Sequence, residues 1–509
     1  MARWTNSAAA MVLMGMIYSA SWAFGTGRTG ADRPDPAGCG ACNVQAPVAD
    51  PGIACSAPSL AAGQDACGGV RDAAIAAAGH VPVVDPQSAF FVSPQGDDAN
   101  TGTLDAPFAT LGRAQLAMRD TRTKKTTYLR AGQYMPTAVA NCDGEGGTCA
   151  LNLGPKDSGE TWSYYPPDGY NSAEISGGST RPGEGLKWII YVEGRDISIN
   201  GLTLHHFRYA GLGSTGGVDH LTIVNNHIHH GFERAPGNPG AFSCYGCSNT
   251  TVSRNVIHDV PTFGVSLANV NGDISNLLIE RNLVFDTCLA VTDCGAIYLL
   301  DTEASASNIR IQDNYIRDGN ASAAVRTGGG GGSAIYADDC TSNIRISGNV
   351  IAGRNGSNTI HLHGGSNIQI VGNLTDLSRY GGAAAVFQTS SGPGCTDAGP
   401  MSGNAYTGNI IIGAGGGGGF WLLSGSPQNT PFIRSNVFFD YGGRGLNTGG
   451  TYQDPSPRVL DPRLSGWSYV LLETSPLLNG PAAFTPLRGH WGPPGYALPR
   501  SGTPPSSPH

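Results

Sequence analysis

Eight asparagines occupy the same short frame, in which an apolar residue, a second apolar residue two on, the asparagine three further and another apolar residue two after that recur. They are Asn226, Asn255, Asn282, Asn314, Asn349, Asn373, Asn409 and Asn436, at intervals of 29, 27, 32, 35, 24, 36 and 27 residues. The clearest copies run Leu221 to Ile228, Ile309 to Ile316 and Ile344 to Ile351. A period near 30 marks a stacked repeat, whose units cannot bury an apolar face alone and must wind against one another. No other feature constrains the fold as strongly.

Glycine contributes 75 of the 509 residues, about twice its usual share of roughly 7%. Only 13% of residues are charged, which fits close-wound coils with many turns better than a helical protein. The net charge of −8 provides no basic footprint for nucleic acid. Residues 1–23 read as an export signal: Arg3, the apolar run from Ala8 to Ile17, then the small residues Ser21 and Ala23 around Trp22. That run is too short to span a bilayer and no later stretch qualifies. The expected location is secreted or periplasmic. Twelve cysteines then read as disulfides, with local bridges Cys142–Cys149, Cys244–Cys247 and Cys288–Cys294, and with Cys340 and Cys395 joining coils. Cys39, Cys42, Cys55 and Cys67 have no readable connectivity.

Residues 24–88 form a Cys/Pro/Gly-rich linker, and residues 89–187 hold an N-terminal cap and the first coils. Asp105 is expected to N-cap a helix with Pro107 in its first turn and Phe108, Leu111 and Met118 on one face. Such a helix would cover the open strand edges at the end of a solenoid. A strand from Tyr128 to Tyr134 follows. From 188 to 455, short runs of Ile, Val, Leu and Thr alternate with Gly, Asn, Asp and Ser, which is strand-and-turn chemistry. About 30 residues accommodate three short strands and three turns. Asparagine at the bend both tolerates the left-handed backbone region and bonds neighbouring backbone, so the row reads as structural. Residues 456–509 complete a C-terminal cap and a Pro/Ser tail.

These repeats resemble those of the right-handed parallel β-helix, pectate-lyase-like superfamily. The segment from Phe91 through Asp97, Asp98, Asp105 and Phe108 to Leu111 resembles the opening of many of its carbohydrate-active members. The segments beginning Leu460-Asp461-Pro462 and Ser475-Pro476 resemble their ending. The fold class implied is all-β, a three-strand parallel β-helix with an N-terminal capping helix. The activities implied are varied, because the fold hosts lyases, hydrolases, epimerases, esterases and non-catalytic surface proteins.

Parallel coils stack about 4.8 Å apart, so equivalent outward positions form columns. If Ile297, Ile335 and Ile360 point inward, Tyr298, Tyr336 and His361 form one outward column, and Leu300, Asp338 and His363 the next. Asp301 and Asp339 then match at the turn. Two of the longer intervals, 32 and 35, carry extra loop around Asp293 and from Arg326 to Ser333, the way a solenoid builds a groove. The stretch Asp293-Cys294-Gly295-Ala296-Ile297-Tyr298 also resembles an Asp-Gly-Gly-Ala-Ile-Tyr stretch of some β-helix glycoside hydrolases.

The expected catalytic carboxylates are therefore Asp293, Asp301, Asp338 and Asp339, used in pairs as acid and base or nucleophile. Carboxylates on adjacent coils would lie about 5 Å apart, nearer the retaining separation. Tyr298, Tyr336, His361, His363 and Arg326 are the substrate-binding candidates. The competing reading is that the Asp residues only cap turns. His205, His206, His227, His229, His230 and His258 invite a metal, yet the frame position of His229 and His258 continues as Phe285 and Arg317, which reads as a mixed outer surface. Asp259, Asp286 and Asp318 form a column better read as turn caps than as a calcium site. The only lysines, Lys124, Lys125, Lys156 and Lys187, all precede the repeats, which argues against a lysine-base lyase there. The leading expectation is a monomeric, exported glycoside hydrolase acting on a polysaccharide or oligosaccharide without cofactor. The alternatives are a polysaccharide lyase using Arg317, Arg326 or Arg345 with calcium, and a non-catalytic glycan-binding surface protein.

Overall fold

The computed structural model describes residues 85–233, 239–291, 293–319, 332–353, 358–377, 385–390, 401–413, 419–422, 431–440, 454–465, 469–478 and 491–493. Three long sheets wrap one core. The first has 12 strands, from Ala89–Val92 to Phe432–Arg434, and the second has 12, from Gly132–Tyr134 to Arg458–Val459. The third has 10, from Cys149–Leu153 to Gly419–Leu422. Each turn of chain adds one strand to each sheet, as Thr222–Val224, His227–Gly231 and Gly240–Tyr245 do, and pairing to the next turn is parallel. The fold is a right-handed parallel β-helix.

Register stacks like on like. Ile199, Ile223, Val252, Ile279, Ile311, Ile346 and Ile370 pair in succession along the first sheet, and all are fully buried. Burial of each such side chain stabilises the coil by roughly 1.5–3 kcal/mol relative to exposure. Parallel stacking already operates upstream of the asparagine repeats: Thr126–Leu129 pairs with Ala89–Val92 on one side and Thr161–Tyr164 on the other.

The asparagine row lies at the turn between the first and second sheets, and every member is fully buried. The left-handed residue at this bend is the one before each asparagine: Asn225, Arg254, Arg281, Asp313, Gly348, Gly372, Gly408 and Ser435, with φ from 54° at Arg281 to 66° at Gly348. The expectation that the asparagines occupy the left-handed region is thus corrected, and their work is hydrogen bonding. Asn282 donates both its backbone N–H (3.0 Å) and its Nδ2 (2.9 Å) to Oδ1 of Asn314, and its Nδ2 also reaches the Val252 carbonyl (2.9 Å). The pattern repeats from Asn226 to Asn409 and ends on Asp454, whose Oδ2 accepts the N–H and Nδ2 of Asn436 at 2.8 Å each. A carboxylate suits the last rung, which needs only an acceptor.

The capping helix spans Leu111–Thr121, later than expected. Its N-cap is Thr110, whose side chain accepts from Arg113 N–H, and not Asp105. Asp98 fixes the approach to the helix by accepting the N–H groups of Ala109 and Thr110 at 2.9 Å each. Phe108 is held outside the helix in a bridge to Val92. The single strand expected from Tyr128 to Tyr134 is two, Thr126–Leu129 and Gly132–Tyr134, because the chain changes sheets at Arg130 and Ala131. The three local disulfides form as expected. Cys340 is disulfide-bonded too, and Cys395, its expected partner, lies outside the described residues.

Candidate active site

Strands Gly295–Asp301, Ser333–Asp339 and Asn358–His363 are neighbours in the third sheet. Ile297, Ile335 and Ile360 align as buried residues, which turns Tyr298, Tyr336 and His361 together to the outside. The rings touch in sequence: Tyr298 and Tyr336 are edge-on at 5.3 Å, and His361 stacks on Tyr336 at 4.6 Å. Phe263 closes the other end at 4.5 Å from Tyr298. The Cys288–Cys294 disulfide packs in this same cluster, anchoring the loop that carries Asp293 beside Tyr298.

Above the rings, Asp338 is the hub. Its Oδ1 accepts from His363 Nδ1 at 2.6 Å and from the Asp339 N–H at 2.9 Å, and its Oδ2 accepts from the Tyr298 hydroxyl at 2.7 Å. Burial pushes the Asp338 pKa up, but these donors outweigh burial and hold the carboxyl below its ordinary value. Burial likewise opposes the charged form of His363, and the Asp338 bond overrides it, raising the imidazole. Asp339 shows the opposite behaviour: burial, then the charge of Asp338, pushes it up to about 6. Asp293, on the rim, is raised by burial and by Asp338, with His363 opposing. Asp338 is thus ionised while its neighbours hold protons more tightly, the division of labour that acid–base chemistry at a pair of carboxyls requires.

Asp339 joins Asp338 although consecutive strand residues normally face opposite ways. Its left-handed backbone (φ 46°) ends the alternation, and Asp338, Asp339 and His363 each bring one ligand-capable atom within 4.8 Å of the others. The carboxyls that meet are therefore consecutive in sequence, not contributed by successive coils as expected. No signal in the repeat frame announces that bend.

Asp301 does not join them, although it pairs with Asp339 in register. Its carboxylate is fully buried in its own turn, where Oδ1 accepts from Asn269 Nδ2 (2.6 Å) and Glu303 N–H (3.0 Å), and Oδ2 from Ala306 N–H (2.6 Å). A carboxylate so saturated is a turn cap and not an acid or base. His363, a substrate-binding candidate, donates to Asp338. Arg326 lies outside the described residues. Arg317 and Arg345 belong to the second and first sheets, so neither is on the face that carries Asp338.

The family described as "Right handed beta helix region" matches residues 188–375. Among solved structures, the complex of XylC with xylose is similar at 12% identity and a TM-score of 0.44, over 74% of this chain and 87% of that one. A rhamnogalacturonan lyase is similar at 11% identity and a TM-score of 0.37, over 73% and 87%. The catalytic domain of a GH87 alpha-1,3-glucanase is similar at 12% identity and a TM-score of 0.46, over 75% and 69%. No curated protein matches the sequence.

Proposed function

We propose that the protein is an exported glycoside hydrolase that cleaves a polysaccharide on the outer face of the third sheet. The observation that carries this reading is the split between adjacent carboxyls: Asp338 held ionised by His363 and Tyr298, and Asp339 pushed up to about 6 beside it. Asp339 is the general acid that protonates the leaving oxygen, and Asp338 is the base or nucleophile. Asp293 stands as a third carboxyl on the disulfide-anchored rim. The packed column Tyr298, Tyr336 and His361 forms the floor beneath these carboxyls. Three disulfides among the described residues support an oxidising, extracytoplasmic location.

The test is incubation of the full chain with a panel of neutral and acidic polysaccharides. New reducing ends without an unsaturated uronate support the proposal, and their loss in Asp338→Asn assigns it to this site. An unsaturated product would replace hydrolysis with elimination. Glycan binding without any cleavage across the panel would overturn the enzymatic reading.

A further inference from the structure

Six histidines gather on the second sheet, away from the third-sheet carboxyls. Strands Thr203–Phe207, His227–Gly231 and Val256–His258 are successive, with His229 in register with both His205 and His258. Leu204, Ile228 and Ile257 are buried in the core, so the residues beside them on each strand face outward. The rings of His205, His229 and His258 stack at 5.3 and 5.1 Å, and those of His206 and His230 at 5.2 Å.

These imidazoles are joined two by two through their nitrogens. His205 Nδ1 meets His206 Nδ1 at 2.6 Å, His229 Nδ1 meets His230 Nδ1 at 2.5 Å, and His227 Nε2 meets His258 Nε2 at 2.6 Å. A contact of this length holds one hydrogen, donated by one ring and accepted by the lone pair of the other. Each pair therefore stays closed with no charge or with one. A second proton sets N–H against N–H and leaves two cations in contact, so the pair must part.

The surrounding charges offset only part of that load. Asp259 Oδ2 lies 2.7 Å from His258 Nδ1, and Glu174 Oε2 lies 3.8 Å from His205 Nε2. One coil on, Phe285 stacks on His258 at 4.6 Å, and Asp286 beside it is raised by burial, then by Asp318 and Asp259. Arg317 lies over Phe285 at 5.0 Å, and Glu233 N–H donates to the Arg208 carbonyl at the turn beyond the histidine strands. Burial, then the neighbouring imidazoles, lowers His205 to about 4 and His227 to about 3. His206, His229 and His230 are lowered too, each first by burial.

We propose that this face is an acid-operated latch, which holds three coils together while each imidazole pair carries at most one charge and opens them when the second protons arrive. Folded values below the unfolded 6.5 mean that the stabilisation is complete above pH 6.5 and is lost as pH falls toward 4 and then 3. The opening is local. It parts Thr203–Phe207, His227–Gly231 and Val256–His258, while the later coils keep the apolar outer row of Tyr315, Val350 and Leu374 closed.

The experiment is hydrogen exchange of the full chain, corrected for intrinsic rates, between about pH 7 and pH 4.5, with unfolding free energies measured over the same range. Amides of the three histidine strands are expected to lose protection at the acidic end before those of Tyr315–Arg317 and Val350–Ala352. The triple variant His206→Asn, His227→Gln, His230→Asn leaves one ring in each pair beside an uncharged partner. Asn suits positions 206 and 230, whose backbones are left-handed at φ 57° each. This variant is expected to keep its protection and to flatten the acid slope by about three protons, one for each pair. Protection that persists in wild type at the acidic end, or that fades evenly along all coils, overturns the proposal. So does an unchanged slope in the folded triple variant; should that variant not fold, exchange in wild type decides alone.

Discussion

His363 donates its Nδ1 hydrogen to Oδ1 of Asp338 across 2.6 Å, joining two successive coils of the third sheet through their outward side chains. That bond, with the Tyr298 hydroxyl on Oδ2, keeps one carboxylate charged in a half-buried place and thereby raises the carboxyls around it. Asp338→Asn removes the charge at nearly constant shape. Cleavage of the responsive polysaccharide is expected to fall about 10²–10⁴-fold while far-ultraviolet circular dichroism stays unchanged. Full activity in a folded variant would remove Asp338 from the reaction.

With Asp339 as the proposed general acid, its ionisation sets the expected pH dependence. A carboxyl raised to about 6 is protonated below that value and competent as an acid, and it loses its proton above it. The kcat/KM profile is expected to show a falling basic limb near pH 6, and Asp339→Asn should abolish that limb along with most of the activity. A profile flat from pH 5 to about 8 would exclude Asp339 as the acid.

Asp301 separates capping from catalysis. Asp301→Ala strips the acceptor from Asn269, Glu303 and Ala306 in a buried turn. Each donor left without a partner costs about 1–3 kcal/mol, so the melting temperature should fall while kcat/KM, measured well below it, remains near wild type. A selective loss of kcat in a stable variant would return Asp301 to the active site.

The ladder predicts a large effect from one amide. Asn314→Ala leaves the N–H and Nδ2 of Asn282 without this acceptor and takes the side-chain donor from the Ile279 carbonyl, all in the interior. Denaturant unfolding should show a loss of about 3–5 kcal/mol, from several unpaired groups at about 1–3 kcal/mol each. A loss below about 1 kcal/mol would mean that water or a shifted coil replaces the rung.

His361 couples stability to acid. Burial, then its neighbour His363, lowers its pKa to about 3 from an unfolded value of 6.5. A depressed folded value means that the contribution is complete above the unfolded pKa and is lost as pH falls from 6.5 toward 3. Each pH unit across that window is worth about 1.4 kcal/mol per group. His361→Phe, which keeps a ring on Tyr336, is expected to flatten the wild-type decline by about one proton, read from unfolding free energies at several pH values. An unchanged slope would place the acid sensitivity elsewhere.

The coil, its period and the outward column of Tyr298, Tyr336 and His361 were legible because parallel register is a local rule: an apolar residue inward at Ile297, Ile335 and Ile360 forces the next residue outward. The same rule misassigned Asp301 and missed the pairing of Asp338 with Asp339, since both depend on what the backbone does after the strand ends. The histidines were visible as a group, but the frame shared with Phe285 and Arg317 hid the contact between His227 and His258.

The sequence by itself determined the architecture, because eight asparagines and their flanking apolar residues repeat a pattern satisfied only by stacking coil on coil. Tertiary structure alone decided what the asparagines do, which carboxyls converge and which nitrogens face each other. Those outcomes turn on left-handed residues at Asp313 and Asp339 and on hydrogen bonds between side chains 18 to 56 positions apart. Such bonds form when separate coils come into register, and strand periodicity carries no record of the bends that aim the side chains into them.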